Sequence, residues 1–210
     1  MKQPIASYHF DKDKRELVFI KAYVIDQCNY DCPYCYNKRP RTDRSLDLNK
    51  LEKFLDNVYE TTHRCIFLEL IGGEPTLHRD LVDFCKRTHK KPFVDCIYIY
   101  SNFSANIETY IELLQMKNVH LDLTWHSIAD DKMNQGFYFK AKRLLDMSLN
   151  HLSMKDNVAF NVMLEHKNIK QSMIMHRMLK KLTPFVDLSM VGSLDKINNV
   201  GRYEYDDMSY

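Results

Sequence analysis

The 210-residue chain has 45% hydrophobic and 28% charged residues, a balance typical of a folded globular protein and not of a disordered one. Its net charge of +2 is too small to indicate a nucleic-acid partner. No apolar run approaches the roughly 18–20 residues that cross a bilayer, and the first residues lack the apolar segment of a secretory signal, so we expect a cytoplasmic protein with no membrane partner.

Six apolar, β-branched or aromatic segments predict β-strands. In chain order they lie at 17–25, 65–71, 96–101, 119–125, 158–163 and 185–191. The segments between them repeat apolar residues at helical spacing, as Leu51, Leu55 and Val58 do. Strands that alternate with helices predict right-handed βαβ units and a parallel sheet. We expect one domain over 1–210, with its core at about 17–191 and a short polar tail at 192–210.

The strand at 119–125 indicates the shape of the sheet. Its apolar residues Val119, Leu121, Leu123 and Trp125 alternate with the polar residues His120, Asp122, Thr124 and His126. A doubly wound flat sheet has helices on both faces, so both faces should be apolar. One polar face is typical of a sheet that curves around a ligand-binding lumen. The pattern favours an α/β fold, an open partial (β/α)6 barrel of the TIM type, over the flat sheet.

Three cysteines follow the first strand directly, in the C-x3-C-x2-C segment Cys28, Cys32 and Cys35. Thiolates are soft ligands suited to iron–sulfur clusters and to zinc. Three thiolates can hold three corners of a [4Fe–4S] cube and leave the fourth iron open. A structural zinc site needs four closed ligands, which His63 or Cys65 could complete. The spacing favours the iron–sulfur cluster over zinc and over unliganded thiols.

A second motif, Gly72-Gly73-Glu74-Pro75, ends the second predicted strand. Two glycines allow backbone to approach a ligand closely, and Glu74 offers an acceptor for an ammonium group. Alone, the string is a weak signal that a strand-to-helix turn also explains. Its place at the carboxyl end of a strand, where barrel sites form, strengthens the functional interpretation.

Together the two motifs resemble the radical S-adenosylmethionine (radical SAM) superfamily. The resemblance spans roughly 17–191 and implies a [4Fe–4S] cluster on Cys28, Cys32 and Cys35, with S-adenosylmethionine bound to the open iron. It implies that Gly72, Gly73 and Glu74 hold the methionine amino group and that Tyr34 lies near the adenine. It further implies reductive cleavage of S-adenosylmethionine to a 5′-deoxyadenosyl radical, with an external flavodoxin- or ferredoxin-type electron donor.

The resemblance extends, less specifically, to the ends of later strands. Ser101 and Asn102 occupy the place of a Thr-Asn-Gly-like turn after the third strand, and His126 that of a Ser-Leu-Asp-Gly-like turn after the fourth. Both places imply contacts with the cofactor or substrate, and Asn161 on the fifth strand is a further candidate. We interpret His120 and Asp122, lower in the fourth strand, as buried structural residues.

The sequence leaves the substrate open: a small molecule, sugar, nucleotide or peptide would all fit. No cysteine follows Cys96, so the cysteine-rich extension of several peptide-modifying branches is not expected. Two other functions remain. The chain could be an activase that installs a glycyl radical on a partner enzyme, although Tyr36-Asn37 stands where activases have a Cys-His-Asn step. It could also be a non-catalytic iron–sulfur or zinc-binding interaction protein.

Overall fold

The computed structural model describes residues 16–32, 34–35, 42–126, 131–148, 155–164 and 168–190. Within these residues, six strands form one parallel sheet in sequential order from β1 to β6. The strands are β1 (Leu17–Ile25), β2 (Cys65–Gly72), β3 (Val94–Ser101), β4 (Val119–Trp125), β5 (Val158–Leu164) and β6 (Val186–Met190). Each strand pairs in parallel with the next along the chain. The fold is the expected partial (β/α) barrel.

The strand boundaries differ from the sequence prediction mainly at β3. This strand begins at Val94, two residues before the expected start, because Val94 pairs with Ile66 on β2 ahead of a register irregularity. The aspartate at 95 interrupts the apolar pattern there and hides the start of the strand. The predicted tail at 192–210 and the end of the sixth predicted strand at 191 lie outside the described residues.

Five α-helices alternate with the strands. They are α1 (Leu48–Thr62), α2 (Leu81–Thr88), α3 (Ile107–Leu114), α4 (Asp131–Ser148) and α5 (Ile169–Lys180). Helix α1 begins after Asp47, whose carboxylate accepts hydrogen bonds from the backbone N–H groups of Asn49 and Lys50. It ends at His63, which adopts the left-handed conformation with φ of 54°. No helix in the described part of the chain is long and apolar enough to cross a membrane.

One face of β4 packs in the hydrophobic core, and the other lies on the inner side of the barrel. Val119, Leu121, Leu123 and Trp125 are buried in the main hydrophobic core, which lies between the sheet and the helices. The alternate residues point to the opposite, inner face. Strand register places other polar side chains on that face: Tyr98, Tyr100, Asn161 and Asp187. The polar inner face expected from the sequence is therefore present.

Two of the three cysteines outside the 28–35 loop are core residues. Cys85 and Cys96 are buried, and burial raises the pKa of the Cys85 thiol to about 12. Cys65 is only half-buried, because it opens β2 at the end of the sheet.

Candidate functional site

The loop that follows β1 carries the three clustered cysteines to the carboxyl edge of the sheet. All three cysteine residues are partly exposed. The loop turns tightly, since the backbone N–H of Cys35 donates to the carbonyl of Cys32 at 3.0 Å and that of Tyr30 donates to Cys28 Sγ at 3.4 Å. Among the described residues, no three His, Cys, Asp or Glu side chains converge closely enough to hold a single metal ion.

The end of β4 contributes a histidine to this loop. His126 Nδ1 lies 3.7 Å from Cys32 Sγ and 2.9 Å from Tyr34 Oη. The imidazole also stacks on the Tyr34 ring and meets the edge of the Tyr30 ring. Burial lowers the pKa of His126 to about 4, so the ring is neutral at pH 7. The structure thus brings Cys32, Tyr34 and His126 together as neighbours.

The end of β3 reaches the other side of the same loop. Asn102 Nδ2 donates to Asn29 Oδ1 at 2.9 Å and approaches Cys28 Sγ at 3.9 Å. The Asn102 side chain also accepts a hydrogen bond from the backbone N–H of Ser104, which fixes its orientation. The cysteine loop is therefore held between the ends of β3 and β4, by Asn102 on one side and His126 on the other.

The Gly72-Gly73 pair packs against the chain's own backbone. Gly73 N donates to Ile25 O at 2.7 Å, and the next residue, Glu74, donates through its N–H to Gln27 O at 2.8 Å. A Cβ atom on Gly73 would clash with the Gln27 carbonyl, and one on Gly72 with the Ile25 carbonyl. The close approach that these glycines allow is thus to the start of the cysteine loop. Their predicted contact with a cofactor stays a prediction.

The Glu74 carboxylate links this turn to the end of β3. Only 1% of the residue is exposed. Oε1 accepts from Thr76 N at 3.1 Å, Thr76 Oγ1 at 2.5 Å and Ser101 Oγ at 2.7 Å, whereas Oε2 accepts from Asn102 N at 2.7 Å. Burial raises the pKa of Glu74, and these donors act in the opposite direction. Oε2 accepts one hydrogen bond from the described residues, so it keeps the lone-pair capacity for one further donor, such as the ammonium group expected from the sequence.

A lysine from α4 supports the loop after β3. Lys140 Nζ donates to the carbonyls of Phe103, at 2.7 Å, and Ala105, and lies 4.3 Å from the centre of the Phe103 ring. Phe103 has a φ of 61°, an unusual conformation for a bulky side chain. Tyr110 Oη lies 2.9 Å from Ser101 Oγ and accepts from Ala105 N. The loop is thereby fixed from two helices.

Sequence reasoning missed three of these supporting residues: Thr76, Tyr110 and Lys140. Tyr110 completes the apolar stripe of α3, so its burial could have been predicted. No sequence signal relates Lys140 to the loop after β3, because the contact depends on how α4 packs.

Asn161, a predicted cofactor residue, lies on the inner face beside Thr124, and no side-chain contact in the described residues joins it to the cysteine loop. Its role stays a prediction.

The sequence and the fold of this chain are both similar to those of known proteins. A model described as the radical SAM superfamily matches residues 23–179. GTP 3′,8-cyclase from Clostridium perfringens (strain 13 / Type A) is 28% identical over 130 residues, which are 60% of this chain and 39% of the relative. This chain therefore spans well under half of that relative's length.

Solved structures show the same fold. SuiB of Streptococcus suis, bound to S-adenosylmethionine, aligns with a TM-score of 0.62 at 15% identity, covering 83% of this chain and 40% of SuiB. SuiB bound to its precursor peptide SuiA aligns with a TM-score of 0.63 at 15% identity, covering 83% of this chain and 39% of that one. Since the family match covers most of the chain and includes the cysteine loop, the chain belongs to the radical SAM superfamily, whose enzymes bind a [4Fe–4S] cluster and S-adenosylmethionine.

Proposed function

We propose that this chain cleaves S-adenosylmethionine reductively and uses the resulting radical to abstract hydrogen from a substrate. The observation that carries the proposal is the meeting of three elements at one edge of the barrel. The Cys28–Cys35 loop contacts Asn102 at the end of β3 and His126 at the end of β4, and the Gly73-Glu74 turn donates to the backbone that leads into this loop.

The residues present fit an iron–sulfur cluster with an open iron. Cys28, Cys32 and Cys35 supply three soft thiolate ligands from one loop, and all three are partly exposed at the mouth of the barrel. When bound, the cluster supplies the electron that breaks a carbon–sulfur bond of S-adenosylmethionine and yields the 5′-deoxyadenosyl radical. The exposure of the thiols supports electron delivery by an external flavodoxin- or ferredoxin-type donor.

The chain's own residues bind and orient the cofactor in this proposal. Glu74 Oε2 accepts from its ammonium group, while the Ser101 hydroxyl and the Asn102 backbone N–H orient the Glu74 carboxylate by donating to it. His126 is held by the Tyr34 hydroxyl and lies beside Cys32, so it contributes a hydrogen-bonding group next to the thiolates. Gly72 and Gly73 act by keeping the cysteine loop close to this turn.

The names of relatives suggest two classes of substrate. The similarity to GTP 3′,8-cyclase supports a nucleotide, whereas the likeness to SuiB with its precursor peptide supports a peptide or protein partner. The sequence identity to both relatives is low, so the substrate of neither relative can be assigned to this chain.

The proposal is tested by anaerobic reconstitution with iron and sulfide, followed by dithionite and S-adenosylmethionine. We expect 5′-deoxyadenosine from the wild-type chain and a loss of at least about 100-fold in Cys32→Ala. Cys65→Ala is the matched control, because this half-buried thiol lies at the opposite end of a strand from the site. It should retain full cleavage. A wild-type chain that holds the cluster yet forms no 5′-deoxyadenosine would contradict the proposal.

A further inference from the structure

The inner face of the barrel carries carboxylates and tyrosines to which the cofactor site assigns no role. Register places Tyr100 beside Asp122 on β3 and β4, and Asn161 beside Asp187 on β5 and β6. Asp122 and Asp187 are close enough that their charges repel each other, since Asp187 contributes to the raised pKa of Asp122. We call these residues, together with Tyr98, the inner-face cluster.

Two oxygens of this cluster are buried without a partner. Asp122 Oδ1 and Asn161 Oδ1 have no hydrogen-bond partner among the described residues. Asp122 Oδ2 receives only a long contact from the Tyr98 hydroxyl, at 3.5 Å. A buried acceptor without a donor destabilises the folded state, so its retention at the wall of a lumen indicates a donor supplied from elsewhere.

The charges around the cluster are not neutralised by the described side chains. Lys21 Nζ on the same face is paired with Glu69 Oε2 at 2.8 Å. Burial lowers the pKa of His120 to about 4 and also lowers that of His176, which lies near Asp187, so both imidazoles are neutral at pH 8. Burial raises the pKa of Asp122 to about 7. Near and above neutral pH, the face is therefore negative.

The aromatic side chains of the cluster suit the same kind of ligand. The Tyr98 and Tyr100 rings lie 5.0 Å apart, and Tyr98 also stacks with His120. Tyrosine faces attract cations, and they provide apolar walls for the carbon chain that carries the charge. A polyphosphate would meet repulsion from Asp122 and Asp187 at this face.

We propose that the inner-face cluster binds a positively charged nitrogen group, an ammonium or guanidinium, of the substrate, with Asp122 and Asp187 as its acceptors. This inference rests on the proposed function, because the substrate must enter the barrel that holds the radical. It assigns a substrate class, a cationic amine or guanidine, that neither the family nor the relatives determine.

The test uses three five-carbon probes that differ only in their end groups: cadaverine, 1,5-pentanediol and glutarate. Their binding to the reconstituted chain is measured anaerobically by isothermal titration calorimetry at pH 8. We expect cadaverine to bind at least tenfold more tightly than the other two. Its binding should weaken as pH falls from 8 to 6, because Asp122 takes up a proton over this range and loses its charge.

Asp122→Asn and Asp187→Asn should each weaken cadaverine binding at least tenfold. Asp187 is exposed, so its replacement leaves the fold intact. Asp83→Asn, the same change on the outer surface of α2, is the matched control and should bind normally. Equal binding of the three probes by the wild type, or unchanged cadaverine binding in both inner-face variants, would overturn the inference.

Cleavage of S-adenosylmethionine, measured on the same samples without any probe, tests the proposed function separately. Cleavage without selective cadaverine binding overturns the substrate class alone. Selective, Asp122-dependent binding without cleavage supports the cation site and contradicts the proposed function.

Discussion

The Glu74 carboxylate connects two parts of the fold, and we propose that it also binds the cofactor. Its carboxylate is buried, yet it accepts four hydrogen bonds that join the turn after β2 to the end of β3. A carboxylate in this position is stable only because these donors replace the water that it loses. The residue that the sequence marks for an ammonium group is thus also a connection between two strands.

Replacing Glu74 with Gln should therefore destabilise the protein itself. The amide nitrogen of Gln is a donor, and it would face donors from Thr76 and Ser101 or from Asn102. We expect the free energy of unfolding to fall by about 1.5–3 kcal/mol in urea denaturation. Glu112→Gln, which removes an exposed ion pair with Lys86, should change it by less than about 1 kcal/mol. Equal stability of the two variants would contradict this role.

Asp122 makes the stability of the protein depend on pH. Burial raises its pKa to about 7 from an ordinary value of 3.8, so the folded state binds a proton that the unfolded state has lost. The protonated Asp122 side chain therefore adds to the free energy of unfolding below about pH 4, and this stabilisation is lost as pH rises through 7. Above neutral pH, the buried charge of Asp122 lowers the stability of the folded state, which is consistent with a role of this residue in binding.

Asp122→Asn removes this cost because the amide resembles the protonated acid. We expect the variant to melt at least about 3 °C above the wild type at pH 8 and within about 1 °C of it at pH 4. Thermal unfolding followed by circular dichroism at the two pH values measures the difference. A difference that does not depend on pH would contradict the burial of a titrating carboxyl at this position.

At the scale of single elements, the loop after β3 holds an unfavourable conformation. Phe103 has a positive φ, which costs about 1–3 kcal/mol for a side chain of this size. The side chain is buried and packs on the rings of Tyr110, Phe137 and Phe160. This packing, with the two hydrogen bonds from Lys140, offsets the strain and fixes Asn102 beside the cysteine loop.

Lys140→Met should loosen this loop without unfolding the barrel. The variant keeps a long apolar side chain over the Phe103 ring but loses both hydrogen bonds to the loop carbonyls. We expect hydrogen exchange at residues 103–106 to accelerate at least tenfold, while the amides of β4 stay protected. Lys142→Met, at an exposed position of the same helix, is the control. Unchanged exchange in the loop would show that Lys140 does not restrain it.

The sequence predicts elements well where the pattern is local. Strand β4 was predicted with its observed bounds because apolar and polar residues alternate without interruption. The start of β3 was missed because Asp95 breaks the pattern. The contact between Lys140 and the loop after β3 could not be predicted, since it depends on the packing of α4 against residues 35 and 37 positions earlier in the chain.

At the scale of the whole molecule, the parallel sheet explains why distant motifs form one site. Every strand has its carboxyl end at the same edge, so residues 92 to 94 positions apart, such as Tyr34, Cys32 and His126, become neighbours. The sequence predicted that Ser101, Asn102 and His126 lie at this edge, at the ends of the third and fourth strands. It did not indicate that Gly72 packs on the end of β1 and Gly73 on the backbone that leads into the cysteine loop, because the same residue type suits both a ligand and a backbone neighbour.

We propose that the loop after β1 holds a cluster with an iron that S-adenosylmethionine can reach. Anaerobic electron paramagnetic resonance of the reduced, reconstituted chain, with iron and sulfide determined on the same sample, distinguishes this cluster from other metal sites. We predict about four irons and four sulfides per chain and a spectrum that changes when S-adenosylmethionine is added. Cys32→Ala should lose the signal and Cys65→Ala should keep it. Zinc in place of iron, or a signal that survives in Cys32→Ala or does not respond to S-adenosylmethionine, would contradict the claim.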